Sequence, residues 1–325
     1  MENTFSQTGS IGAAWPPALA TNQRLRGFYT EGVITGQQEA NIVTDHIESA
    51  VDEMLCSAHI SRLSIRVVSE IGSLARLAFD RANIEAALPI SDTDLVIVYV
   101  GANRDDRQMS AERLAAHQAL LHRVSQRTHS DHTPDLDVKI VDRQNTAQLV
   151  PAFAKLYSSF GYDLSETEQL LRDDNNVIAY HKDGDVVAST AMAEKAAIEI
   201  NGLGKLTLVE ITEASTHPAY RQRGLYRSVS GYLIRHLMSL HREDAMNMDA
   251  LYGESNLTMP GVVIAAHQNG RRFSYFDRDD LGFNDVGFGI LPQNFSVADG
   301  TETRDYNDFA VSYVPLQRRR NQNAI

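Results

Sequence analysis

The run from Leu206 to Leu240 reads LTLVEITEASTHPAYRQRGLYRSVSGYLIRHLMSL, and the residue types at its centre are those of anion chemistry. Arg221-Gln222-Arg223-Gly224-Leu225-Tyr226 sets two arginines and a glycine between an extended pattern and a helical one. The first amides of a helix are unpaired and carry the positive end of its dipole. A basic, glycine-bearing turn at that place is therefore a ready site for phosphates. Two carboxylates, Glu210 and Glu213, precede the turn. Three residues apart, they face opposite sides of a regular strand, and a bulge would change that assignment. The P-loop spacing GxxxxGK[ST] is absent, and no GxGxxG follows a strand.

The elements that must position these groups are legible on either side. Leu206, Leu208 and Glu210 alternate with Thr207, Val209 and Ile211, as in a strand with both faces engaged. Leu225, Val229, Tyr232, Leu233, Leu237 and Leu240 recur at helical spacing and give one apolar face. Upstream, helical spacing predicts a helix over 38–58, with Ile42, Ile47, Val51, Met54, Leu55 and Ala58 on one face and Cys56 as a small buried residue there. Arg62 to Val68 alternates as a half-buried strand, Ser73 to Ala82 reads as a helix, and Leu95 to Val100 is a continuous apolar run suited to a central strand. A helix from Ser110 to Gln126 leads into the polar stretch Ser130 to Asp135, the expected domain boundary. Beyond it come a short strand (Asp137 to Val141), a helix (Ala147 to Phe160) and a helix opened by a capping box at Ser165 and Glu168. Val177 to Tyr180 and Val186 to Met192 flank the hairpin turn Lys182-Asp183-Gly184-Asp185. After the Leu206–Leu240 run, Ala250 to Gly253 reads as a strand, Gly261 to Gln268 as a helix and Phe309 to Val314 as a terminal strand. The expected organisation is an unstructured segment 1–23, an α/β domain over 24–130, a second domain over 136–317 and a short tail, 318–325.

Composition narrows the class. A chain of 325 residues with 43% hydrophobic and 22% charged residues fits a soluble globular protein of about two domains. A net charge of −12 argues against a general nucleic-acid binder, whose surface must be basic. The single cysteine excludes intrachain disulfides and a CxxC metal pair, and the histidines make no HxxxH or HExxH pair, so no metal is expected. With no signal peptide and no apolar run of membrane-spanning length, the expected compartment is the cytoplasm and no membrane partner is expected.

The sequence Arg221-x-x-Gly224, with Pro218 three residues before the arginine, resembles the coenzyme A motif of the GCN5-related N-acetyltransferases, R/Q-x-x-G-x-G/A. Tyr226 departs from it, standing where the family has Gly or Ala. The element order from Asp137 to Pro315 is that of the acetyltransferase fold. Within it, Val209 to Thr216 resembles the strand A-E-M-T-D-F-A-T of the β-lysine N-acetyltransferases, with Glu210, Thr212, Ala214 and Thr216 identical and Glu213 for Asp. The resemblance implies an α/β fold (α+β) with a mixed, mostly antiparallel central sheet flanked by helices. A smaller α/β domain precedes it and is expected to be a truncated, degenerate copy of the same half, covering one side of the acceptor cleft or mediating a homodimer.

The resemblance also implies roles. Ala214, Ser215 and Thr216 would hold the pantetheine of acetyl-CoA or another acyl-CoA. Arg221, Gln222, Arg223, Gly224, Leu225 and Tyr226 would cradle its pyrophosphate, and Asn256 would stand near the cofactor after the next strand. Glu210 and Glu213 are the candidate bases that take the proton of the amine. Glu254 and Thr212 would line the acceptor, with Arg271 or Arg272 pairing any substrate carboxylate. The family's tyrosine acid falls at Ala266, so the role could fall to His267, to Tyr252, or to no acid at all. The implied function is acetyl-CoA-dependent N-acyl transfer to a small-molecule amine, most plausibly an amino acid or diamine. A protein amine as acceptor, or a non-catalytic acyl-CoA sensor or scaffold, is the alternative.

Overall fold

The computed structural model describes residues 24–56, 62–91, 93–104, 109–127, 136–158, 161–276, 287–296 and 306–316. The expected N-terminal segment, the boundary at Ser130 to Asp135 and the tail lie outside them. The first half forms β1 (Arg24–Ile34), α1 (Gln37–Cys56), β2 (Arg62–Glu70), β3 (Asn83–Pro89), β4 (Leu95–Asn103) and α2 (Ala111–Ser125). Its strands make a sheet of order β1-β2-β4-β3, parallel between β1 and β2 and antiparallel elsewhere. The strand β1 was not among the expected elements.

Local physics explains where these elements depart from expectation. Helix α1 buries Ala40, Val43, Ile47, Ala50, Val51 and Met54, a stripe narrow enough that Ile42 and Leu55 stay exposed. Cys56 is exposed too, because it lies about 200° around the helix from Met54, on the face of the exposed Asp52 and Glu53. In place of a helix over Ser73 to Ala82, only a 3-10 turn forms at Ile71–Arg76. The rest is held open as a loop over α1, where Glu48 accepts from the amides of Asp80 (2.8 Å) and Arg81 (3.0 Å). Strand β2 is buried on both faces, not one: all its residues except Glu70 are buried. Its polar side is covered by the second sheet, where Arg66 is paired, while Arg62 is paired within its own sheet. Arg62 makes a two-point pair with Glu85 at 2.6 and 3.0 Å and also donates to Asn103 at 2.9 Å.

The second half forms β5 (Val138–Ile140), α3 (Val150–Tyr157), α4 (Leu164–Arg172), β6 (Asn176–Asp183), β7 (Val186–Ile200), β8 (Gly204–Thr216), α5 (Leu225–Arg242), β9 (Ala250–Asn256) and α6 (Pro260–Gln268). Five strands complete it: β10 (Arg272–Phe273), β11 (Tyr275–Phe276), β12 (Gly287–Phe288), β13 (Ile290–Ser296) and β14 (Tyr306–Val314). The order of strands and helices follows the expected one. The main sheet runs β10-β14-β9-β8-β7-β6-β5, with β13 on β14, and it is antiparallel except between β8 and β9. Helix α3 is shorter than expected because Pro151 sets its first turn and a separate 3-10 turn occupies Arg143–Gln148. The capping box of α4 is Asp163 with Glu166 instead of Ser165 with Glu168, since Asp163 alone has extended backbone at the helix entry.

The two sheets stack. Phe28, Val68, Leu88, Ile97 and Tyr99 of the first meet Ile198, Leu206, Leu208, Tyr252 and Val311 of the second in one apolar layer. On the opposite face of the second sheet, Val229, Leu233 and Leu237 of α5 pack on Val209, Ile211 and Leu251. Strand β8 is thus enclosed on both faces along its first half, as its alternation predicts. Among the described residues, no helix is long and apolar enough to cross a membrane.

Candidate active site

Strand β8 changes partner count along its length. Leu208 to Ile211 pair in parallel with Ala250 to Gly253 of β9, while the antiparallel ladder with β7 continues to Thr216. Among the described residues, no β9 residue pairs with Thr212 to Thr216, so the two strands part after Ile211 and Gly253. In this open stretch Thr212, Glu213, Ala214, Ser215 and Thr216 are all partly exposed. Thr216 turns its carbonyl to Nε of Arg221 at 3.3 Å, which ties the strand end to the basic turn.

That turn is built for an anion. A 3-10 turn at Pro218–Tyr220 is followed by Gln222 at φ 63 and Gly224 at φ 76, two left-handed residues that fold the backbone tightly before α5. Arg221, Gln222, Arg223 and Gly224 are exposed, while Leu225 is buried beneath. Among the described residues, no side chain caps the start of α5 and no acidic residue sits in its first turn. An anion there meets free amides, the helix dipole and two arginines. Arg223 is steadied by its guanidinium, 5.1 Å from the Tyr220 ring centre.

The carboxylates come next. Thr190 pairs with Ser215 and Met192 with Thr212, so Glu213 and Ala214 stand opposite the single residue Ala191 in a bulge, and Glu213 adopts φ 41. Ala214 therefore turns toward the α5 layer, and Glu213 comes within electrostatic reach of Glu210. Glu213 accepts a hydrogen bond from the Tyr162 hydroxyl at 2.9 Å. Burial raises the Glu213 pKa above the ordinary glutamate value, the Glu210 charge adds to the rise, and the Tyr162 bond only partly opposes it.

Glu210 lies deeper, 6% exposed, under the first sheet. It accepts from the Tyr252 hydroxyl at 2.9 Å, and that hydroxyl in turn accepts from Nη1 of Arg66 at 2.9 Å. Nη2 of Arg66 is 3.2 Å from Glu254 and 3.9 Å from Glu210. Burial opposes the Arg66 charge, but Tyr252, Tyr99, Glu210 and Glu254 outweigh it and hold the guanidinium above its ordinary value. Arg66 reaches this cluster from β2, across the interface between the sheets. Sequence reading missed it, although its place on the polar side of an alternating strand was the available signal.

The remaining candidates are dispersed. Asn256, at the end of β9, accepts from the amide and hydroxyl of Thr258 at 2.9 and 2.8 Å. His267 lies in the seam between α6 and α2, where Nε2 meets the Arg127 carbonyl at 2.9 Å and the ring stacks on Phe273. Tyr226 sends its hydroxyl inward from the first turn of α5, where it hydrogen-bonds with Ser230 and Arg271. Among the described residues there is no cluster of His, Cys, Asp and Glu able to hold a metal ion.

No family model matches the chain, and no curated protein matches it. Solved structures align with part of the chain. An N-acetyltransferase from Staphylococcus aureus Mu50 is 11% identical, with 55% of this chain and 97% of that one covered and a TM-score of 0.35. Arabidopsis thaliana NAA60, in complex with a bisubstrate analogue, is 10% identical, with 55% and 99% covered and a TM-score of 0.37. The ribosomal-protein-S18-alanine N-acetyltransferase of Escherichia coli is 11% identical, with 58% and 99% covered and a TM-score of 0.39.

Proposed function

We propose that the chain is an acyl-CoA-dependent N-acyltransferase acting on a small amine. One observation carries the reading: an uncapped, arginine-bearing helix start opens onto a strand splay that ends at a pair of interacting carboxylates. The turn Arg221 to Tyr226 suits the pyrophosphate, and the one-sided backbone of Ala214, Ser215 and Thr216 suits an extended pantetheine amide chain. When bound, acyl-CoA would supply the thioester carbon that the amine attacks, with its C–S bond breaking and CoA leaving as a thiolate that takes up a proton.

The two carboxylates divide the work on the amine. Glu210, which accepts from Tyr252 and lies 3.9 Å from Arg66, would with Glu254 and Thr212 draw an ammonium inward. Glu213, whose pKa is raised, is the better proton acceptor near neutral pH and takes the proton that the amine must lose before its nitrogen bonds to the acyl carbon. A protein acceptor would need an open groove. Here β2 lies over the Glu210 side and leaves Glu210 and Tyr252 buried, which favours a small acceptor such as an amino acid or diamine. The likeness of Val209 to Thr216 to the β-lysine N-acetyltransferases supports the same choice.

The test is release of CoA thiol from acetyl-CoA with amino acids, diamines and a lysine peptide, on the parent and on Glu213→Gln. We expect turnover with a free amine, a loss of about 10²–10⁴-fold in kcat in the variant, and unchanged CoA affinity. Turnover with the peptide alone would move the acceptor to protein amines, and CoA binding without any turnover would favour a sensor.

A further inference from the structure

Helix α6 ends in a tightly specified turn. Gly270 takes φ 84, its amide donates to the His267 carbonyl at 3.0 Å, and the Arg271 amide donates to the Ala266 carbonyl at 3.2 Å. These are the paired closing bonds of a glycine-terminated helix. Asn269 fastens the turn to α5, donating from Nδ2 to the Arg227 carbonyl (3.0 Å) and the Ser230 hydroxyl (2.7 Å). The turn drives Arg271 back into the protein, where it is 2% exposed, while the neighbouring Arg272 faces solvent.

The Arg271 guanidinium rests against Gly253, the last β9 residue paired with β8. A Cβ on Gly253 would lie 2.5 Å from Nη2 of Arg271 and 2.7 Å from the Ile211 carbonyl oxygen. The guanidinium therefore sits where the two strands part, at the inner end of the proposed pantetheine channel. The Tyr226 hydroxyl bonds to it from one side, and the Glu210 charge reaches it through space. Its Nε and Nη2 are buried and, among the described residues, have no hydrogen-bond partner. These two N–H groups are the parallel pair along one edge of the guanidinium, spaced for the two oxygens of a single carboxylate. A buried cation left incomplete in this way weakens the free protein, so the arrangement makes sense if a ligand completes it.

We propose that Arg271 is the carboxylate-binding residue of the acyl-transfer site, taking a substrate carboxylate along its Nε–Nη2 edge at the β8–β9 splay. This rests on the acyltransferase reading and narrows its substrates. The carboxylate comes either from an acyl group with a free terminal carboxylate or from an amino-acid acceptor.

Calorimetric titration of the full chain separates the sources. In one arm S-carboxymethyl-CoA is compared with S-carbamoylmethyl-CoA. In the other, lysine, ornithine and alanine are each compared with their amides in the presence of S-ethyl-CoA. We expect a preference of about tenfold or more for the carboxylate in one arm, falling to within about twofold in Arg271→Gln. Arg271→Lys, which keeps the charge but not the fork, is expected to restore only part of it. The ligand-free melting temperature of Arg271→Gln should equal or exceed that of the parent. A preference absent from both arms, or intact in Arg271→Gln, overturns the assignment, as does a lowered melting temperature or full restoration by lysine. S-ethyl-CoA separates the layers: if it fails to bind, the acyltransferase reading falls with the inference, whereas binding without carboxylate preference removes only the Arg271 site.

Discussion

At Glu213, burial and the nearby Glu210 charge both favour the protonated acid. The folded-state pKa lies above the ordinary value of 4.5, so the folded chain keeps a proton that the unfolded chain has already released. Stability contributed by this group is present below pH 4.5 and is lost as pH rises through the folded value. Calorimetric melting of Glu213→Gln across that window should show the variant gaining on the parent as pH rises, and a pH-independent difference would refute the shift. The same carboxyl predicts an acid limb in kcat/KM at a pH above the ordinary glutamate range. Sequence reading nominated both carboxylates but could not choose between faces, because a bulge depends on backbone register and Glu213-Ala214 carries no composition signal for one. Tyr162, 51 positions from Glu213, was equally invisible for want of any local pattern linking them.

Among the elements, the longest and most periodic were the most legible. Helix α5 and strand β8 appear as expected because each buries a full face against an adjacent layer. Shorter segments were decided by partners from elsewhere: Glu48 on α1 holds the 77–81 stretch out of a helix, and the cover from the second sheet turns β2 into a doubly buried strand. The turn before α5 depends on Gly224 at φ 76, where a side chain is strained. Gly224→Ala should cost about 1 kcal/mol in urea unfolding and weaken CoA binding measurably in the same preparation. Unchanged CoA affinity would mean the phosphates are held elsewhere.

For the whole molecule, the apolar layer between the sheets matters more than the boundary drawn in the sequence. Composition marks a linker, but it cannot report that residues from β2, β4, β8 and β9 share one core or that Arg66 crosses it to Glu254. We expect the two halves to unfold together. Leu208→Ala, in that layer and fully buried, should cost about 2–5 kcal/mol. Hydrogen exchange should then show β4 and β7 amides losing protection in a single step, whereas separate transitions would restore two independent units. One consequence concerns the open stretch of β8 from Thr212 to Thr216. A strand with one side of its ladder unclaimed is a sheet edge lodged inside a protein, and such an edge invites mispairing with other chains. A bound pantetheine arm would close that edge as a surrogate strand. If the acyltransferase reading holds, refolding in the presence of acyl-CoA should leave a smaller aggregated fraction by light scattering than refolding without it.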